Sequence, residues 1–208
     1  LHATNSKTAE MCKLVENSSR DVSIAFANEL SIICDKAGIN VWDLIKLANK
    51  HPRVNILQPG TGVGGHCIAV DPWFIVSDFT NEAKIIRSAR EINNYKTDWV
   101  IEKIKSTALE FELKYKKKPK IALMGLAFKP DIDDLRESPA LLVAKTLSSQ
   151  FLDNLLFVEP NLMSSNTYKL LDYKEVNKKA DIIAFLVAHK EFKKFTTDLT
   201  VLDFYGVL

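Results

Sequence analysis

The densest chemical signal in the chain is Pro59-Gly60-Thr61-Gly62-Val63-Gly64-Gly65-His66-Cys67-Ile68-Ala69-Val70-Asp71-Pro72. Four of the seven glycines fall in it, so the backbone must turn sharply there or let another group come close. A thiol follows the turn, and a carboxylate stands four residues further on. If a helix begins after Gly65, Cys67 and Asp71 share a face. A helix N-terminus favours the thiolate, which is the nucleophile. Asp71 can then take a proton from an alcohol or from water. The plainer alternative is an inert cysteine buried beside a turn. The spacing is not GxGxxG and no strand precedes it, which argues against a dinucleotide loop. His66 makes no dyad with Cys67, because adjacent side chains diverge. A cysteine hydrolase would need a base such as His2, His51 or His189, and no spacing supports one.

Three further groups carry polar chemistry. Lys13, Asn17, Arg20 and Asn28 fall within about 80° at roughly 100° per residue of a helix. A cation and an amide one turn apart can polarise a carbonyl or hold an oxyanion; a solvated helix face is the alternative. His51-Pro52-Arg53 leads into the glycine run, and Arg suits a diphosphate; a plain surface loop fits equally. Gly125-Leu126-Ala127-Phe128-Lys129-Pro130 follows a strand pattern, where nucleotides bind in parallel sheets. Phe128 can stack and Lys129 can pair with phosphate, or the segment is an ordinary connection. Cys12 and Cys34 lie in helical patterns and read as inert packing.

The elements that position these residues change period midway. Ser6 or Thr8 caps a first helix, with Leu14, Val15, Val22, Ala25, Phe26, Ile32 and Ile33 on its apolar face and Gly38 at its end. A second helix covers 41–49. Residues 81–118 lack Gly and Pro, which predicts one long helix or two abutting ones. From Lys120 onward, short apolar runs alternate with helical patterns. Strands are predicted at 120–125, 155–158, 181–187 and 200–204, with a helix from Ser138 to Gln150 that has Pro139 in its first turn. The expected fold is mixed: an all-helical domain over 1–118, then a small Rossmann-like parallel sheet over 119–208.

Bulk composition agrees. Lys plus Arg is 28 and Asp plus Glu is 26, a net +2 among 208 residues, which argues against a nucleic-acid binder. Hydrophobic residues make up 47%, enough for a sizeable core. No apolar run approaches the ~20 residues of a membrane span. Three cysteines without metal-like spacing predict neither disulfides nor a metal site, and a reducing cytoplasm.

Three ordered blocks resemble the UDP-glucose/GDP-mannose dehydrogenase family. They are Ala9-Glu10-x-x-Lys13-x-x-x-Asn17; Gly62-Val63-Gly64-Gly65-His66-Cys67-Ile68-x-Val70-Asp71-Pro72; and Gly125-Leu126-Ala127-Phe128-Lys129 with Asp134-x-Arg136-Glu137-Ser138-Pro139. With His51-Pro52-Arg53-Val54-Asn55-Ile56 they resemble its UDP-N-acetylmannosamine branch most. The resemblance implies a central helical domain that forms a homodimer and a C-terminal UDP-binding domain. A preceding NAD-binding domain is expected to be missing, in keeping with the start at Leu1. It also implies NAD-dependent oxidation of a sugar C6 alcohol to the uronate, which the 208 residues alone should not complete. Cys67 would be the nucleophile, Lys13 and Asn17 would hold oxyanion and water, and Asp71 would do base chemistry. Arg20, His51, Arg53 and Gly64 match substrate-contacting positions, Phe128 and Lys129 the UDP-sugar site, and Arg136 a contact to NAD. Thr61 replaces the branch's usual Pro, a departure expected to loosen the loop. The competing function is a non-catalytic, dimerising nucleotide-sugar-binding module with a dead thiol.

Overall fold

The computed structural model describes residues 4–164 and 167–208; His2 lies outside them. Two compact units emerge: Leu1–Pro59 with Gly65–Lys96, and Gly60–Gly64 with Thr97–Leu208. The predicted boundary after residue 118 follows the end of a long helix, whereas the contacts divide the chain within that helix.

In the first unit, α1 (Ser6–Ala37) is capped by Asn5, whose side chain accepts from the Thr8 N–H, and neither Ser6 nor Thr8 is the cap. Gly38 closes it in the left-handed region at φ 69°. Asn40 caps α2 (Val41–Ala48) by accepting from the N–H groups of Trp42 and Asp43. α3 (Asp71–Asp78) carries Asp and Pro in its first turn, where Pro's missing N–H leaves no bond unmade. α4 (Lys84–Tyr115) runs unbroken, as a Gly- and Pro-free segment permits.

The inward face of α1 matches the expected one only in part: Ala25 is buried and Leu14, Val22 and Ile32 are half-buried. Val15, Phe26 and Ile33 are exposed, Phe26 by 54% and Ile33 by 56%, while Asn17, Ser18, Asp21, Asn28 and Ser31 are buried. The reason is α4, which offers buried Arg90, Asn93 and Lys96. Arg90 Nη1 donates to Asp21 Oδ1 at 2.6 Å, Asn93 Nδ2 donates to the same oxygen at 2.8 Å, and Asn28 Nδ2 donates to Asn93 Oδ1 at 2.9 Å. Lys96 Nζ reaches Ser31 Oγ at 2.7 Å. Buried polar groups that find partners can replace an apolar seam.

The second unit is built on four parallel strands, β1 (Ile121–Met124), β2 (Leu155–Val158), β3 (Ile182–Phe185) and β4 (Thr200–Asp203), in the order β2-β1-β3-β4. Both faces are covered, as an all-parallel sheet requires. On one, Ile121, Leu123, Phe157 and Ile182 meet Val143 and Leu147 of α5 (Pro139–Phe151) and Ile104 of α4. On the other, Met124, Val158, Ile183 and Phe185 pack with Phe192 and with Val176 of the short α6 (Val176–Lys179). β3 is shorter at both ends than the predicted 181–187. No helix among the described residues is long and apolar enough to cross a membrane.

Candidate active site

Four of the sequence-predicted residues, Lys13, Asn17, Cys67 and Asp71, lie in the helical unit, and Asn17 and Asp71 meet there. Leu14 of α1 packs against Ile75 and Val76 of α3. That contact brings Asn17, one turn on from Lys13, against Asp71, the first residue of α3. Asn17 Nδ2 donates to Asp71 Oδ2 at 2.5 Å. Cys67 lies in the turn before α3 rather than inside a helix, and its carbonyl accepts from the Asp71 N–H at 2.8 Å. The thiol is half-buried. The Asn17 amide and the Asp71 carboxylate are therefore in direct contact, and the Cys67 backbone is tied to the first residue of α3. Lys13 is largely exposed, and its ammonium stands 3.8 Å from the Glu16 carboxylate.

Of the other cysteines, Cys34 is buried as expected. Cys12 is exposed, because α1 turns that face outward, and does not pack in the interior.

Arg20, His51 and Arg53 are exposed. His51 and Arg53 occupy one turn, in which His51 Nδ1 accepts from the Arg53 N–H at 3.2 Å. Asn49 holds the flanks of this turn: its amide donates to the Ile56 carbonyl at 2.9 Å and accepts from the Ile56 N–H at 2.7 Å. Sequence reasoning missed Asn49. Its signal is an Asn just past a helix end, a type that pairs with backbone in loops.

Asp21 and Arg90 were also missed. They are buried one turn beyond Asn17. Burial pushes the Asp21 carboxyl above its ordinary range, and Arg90 offsets this only in part. Desolvation likewise takes Lys96 down to about 7, with Asp35 opposing it.

The remaining residues belong to the α/β unit. The strand order reverses direction between β1 and β3, and ligands in such sheets bind beyond the strand ends at that point. Phe128 and Lys129 follow β1 there. Phe128 is half-buried, and the Lys129 ammonium stands 5.6 Å from its ring. Gly125, at φ 92°, is required, because a Cβ would lie 2.6 Å from Val187 Cβ. Ser138 caps α5 and donates to the Leu126 carbonyl at 2.6 Å.

The four-glycine run is divided between units, and Gly60–Gly64 is clamped to this one. A Cβ on Gly64 would collide with the Glu137 carbonyl and the Phe128 side chain. Thr61 does not loosen the loop. Its hydroxyl donates to the Leu186 carbonyl at 2.7 Å, and its own carbonyl accepts from Thr97 Oγ1 at 3.0 Å. Arg136 is exposed and held by Asp134, with Nη2 to Oδ2 at 2.6 Å.

The helical unit and the sheet unit match, in order, the two halves expected of one enzyme family. The chain belongs to the UDP-glucose/GDP-mannose dehydrogenase family. Residues 7–95 match its central domain and residues 122–205 its UDP-binding domain. Among its relatives is the UDP-N-acetyl-D-mannosamine dehydrogenase of Campylobacter jejuni, 58% identical over 205 residues, covering 95% of this chain and 49% of that protein. The NDP-N-acetyl-D-galactosaminuronic acid dehydrogenase of Ralstonia solanacearum is 53% identical, covering 94% and 46%. The solved UDP-N-acetyl-mannosamine dehydrogenase from S. aureus superposes with a TM-score of 0.82 at 40% identity, covering 99% of this chain and 49% of that one. The chain thus spans about half the length of the relatives it matches.

Proposed function

We propose that the chain supplies the central and UDP-binding parts of an NAD-dependent UDP-N-acetylmannosamine 6-dehydrogenase, acting in the cytoplasm. The observation that carries this is the Asn17–Asp71 hydrogen bond set one turn from Cys67. A thiol beside a carboxylate and an amide suits an oxidation that passes through a covalent acyl stage.

NAD fits these residues only at an edge. The glycine run follows no strand, and Arg136 is already engaged by Asp134. In this reading NAD is held chiefly by a further domain, and two NAD molecules bound in turn would each accept one hydride. Asp71 takes the proton from the C6 hydroxyl as the alcohol becomes an aldehyde, and passes it to solvent before the later hydrolysis. The Cys67 thiolate adds to the aldehyde carbon, giving a thiohemiacetal. Lys13 and Asn17 stabilise the oxyanion formed. Loss of the second hydride leaves a thioester on Cys67. A water deprotonated at Asp71 then attacks it, releasing the uronate and the thiolate. Phe128 and Lys129 bind the UDP end; Arg20, His51, Arg53 and Gly64 line the substrate path.

The exposed stripe Met11, Val15, Phe26 and Ile33 on α1 supports a homodimer formed through the helical unit. The relative named for galactosaminuronic acid keeps a second acetamido sugar in view as substrate. NADH formation by the full-length parent protein, offered UDP-N-acetylmannosamine, UDP-N-acetylgalactosamine and UDP-glucose in turn, tests the reading. About two NADH per sugar, lost in Cys67→Ser, is the expected result. A folded protein that binds UDP but yields no NADH with any of them overturns the chemistry.

A further inference from the structure

The loop 126–131, which carries Phe128 and Lys129, is held from both sides. β1 lies between β2 and β3. Glu159 directly follows β2 and His189 follows β3, so residues from the two flanking strands meet at the end of the central one. Both side chains are fully buried. Glu159 Oε2 accepts from the N–H groups of Leu126 at 2.7 Å and Ala127 at 3.0 Å. The same oxygen lies 3.0 Å from His189 Nε2. At the far end of the loop, His189 Nδ1 accepts from the Asp131 N–H at 3.0 Å. That bond fixes the tautomer: Nδ1 is the acceptor, and Nε2 carries the proton donated to Glu159.

Asp131 itself sits at φ 62°, a left-handed conformation that is costly for a residue with a Cβ. Its carboxylate accepts from the Lys190 N–H at 2.9 Å, which secures it a second time. A strained backbone persists only where its surroundings over-determine it, and such places concentrate at ligand-binding loops.

We propose that Glu159 and His189 are positioning residues that hold the 126–131 loop in its nucleotide-binding shape. Neither side chain touches the ligand. They act by fixing three backbone N–H groups, so that Phe128 and Lys129 are in place before UDP arrives. The inference rests on the reading of this loop as a UDP site.

The test is UDP titration of the protein by calorimetry, with amide hydrogen exchange on the unliganded protein alongside. In His189→Phe, which packs but cannot accept or donate, UDP affinity should fall about tenfold and exchange at Asp131 should quicken. His189→Asn can place its amide oxygen where Nδ1 stood, and should recover most of the affinity. Phe192→Leu, which alters the ring that packs edge-on against His189 at 5.5 Å, should lower thermal stability and leave UDP affinity unchanged. UDP binding unaltered in His189→Phe overturns the inference alone. So does Phe192→Leu weakening UDP as much as His189→Phe does at an equal loss of stability. Failure of the unaltered protein to bind UDP overturns the functional reading and this inference together.

Discussion

The helical unit and the α/β unit solve the problem of holding elements together in opposite ways. Between α1 and α4 the seam is polar: Asp21 with Arg90, Asn28 with Asn93, and Ser31 with Lys96. Around the sheet the seam is apolar on both faces. Apolar packing is non-directional and tolerates exchange among side chains of similar volume. A buried ion pair adds little net stability but penalises every register that breaks it. Three of the four buried polar atoms without a partner among the described residues, Ser18 Oγ, Asp21 Oδ2 and Arg90 Nε, belong to the helical seam. Stability is thus given up along the α1–α4 seam for a single register, and Val15, Phe26 and Ile33 of α1 are left facing outward.

That contrast can be broken at measurable points. Arg90→Leu leaves the Asp21 carboxyl buried and unpaired. Urea denaturation should show a loss of about 3–5 kcal/mol, and Asp21→Leu added to it should restore much of that. Leu147→Ala, in the apolar seam under the sheet, should cost about 2–5 kcal/mol, with no second substitution that rescues it by charge.

The pH responses should diverge as well. Desolvation brings the folded-state Lys96 ammonium down to about 7 from an ordinary 10.5. The unfolded chain binds that proton more readily over this range. This contribution to the helical unit's stability therefore rises as pH climbs from 7 toward 10.5. In Glu159, burial alone would raise the carboxyl, but hydrogen bonds from His189 and the Leu126 N–H outweigh it and hold it below 4.5. Its contribution to the sheet unit is present above 4.5 and is lost as pH falls further. Thermal melts across pH, compared with those of Lys96→Met and Glu159→Gln, check both signs.

On the proposed homodimer, Phe26→Asp combined with Ile33→Asp should leave the far-ultraviolet dichroism intact and shift sedimentation from dimer to monomer. At the small end, Asn5→Ala removes an exposed helix cap and should cost about 1 kcal/mol in thermal or urea unfolding.

The sequence made the sheet easier to read than the helices. Apolar runs such as Leu155–Val158 and Ile121–Met124 are strands because a parallel sheet buries both faces, so the pattern needs no partner to interpret. α1 was legible in extent, and Gly38 marked its end, but its inward face was not. A helix with Val15, Phe26 and Ile33 on one side and Asn17, Asp21 and Asn28 on the other does not say which side is covered. The answer lies in α4, whose Arg90, Asn93 and Lys96 follow each other three residues apart and match the polar side of α1. Cys67 and Asp71 stood out through their neighbouring glycines. Yet Gly60, Gly62 and Gly64 answer to contacts made with the α/β unit, so the glycine density has a cause other than the thiol beside it. Glu159 and His189 are 30 residues apart in sequence, and only the strand order brings them together.

One of those glycine contacts doubles as an optical gauge. A Cβ on Gly60 would stand 2.9 Å from the Tyr205 ring, and burial pushes the Tyr205 phenol up to about 12. In an ultraviolet titration the Tyr205 step should therefore fall well above the ordinary phenol range. Its late absorbance step then reports, without any label, whether the 60–64 strap is seated. A chain whose strap has come away would show that step fall back toward the ordinary phenol value of about 10.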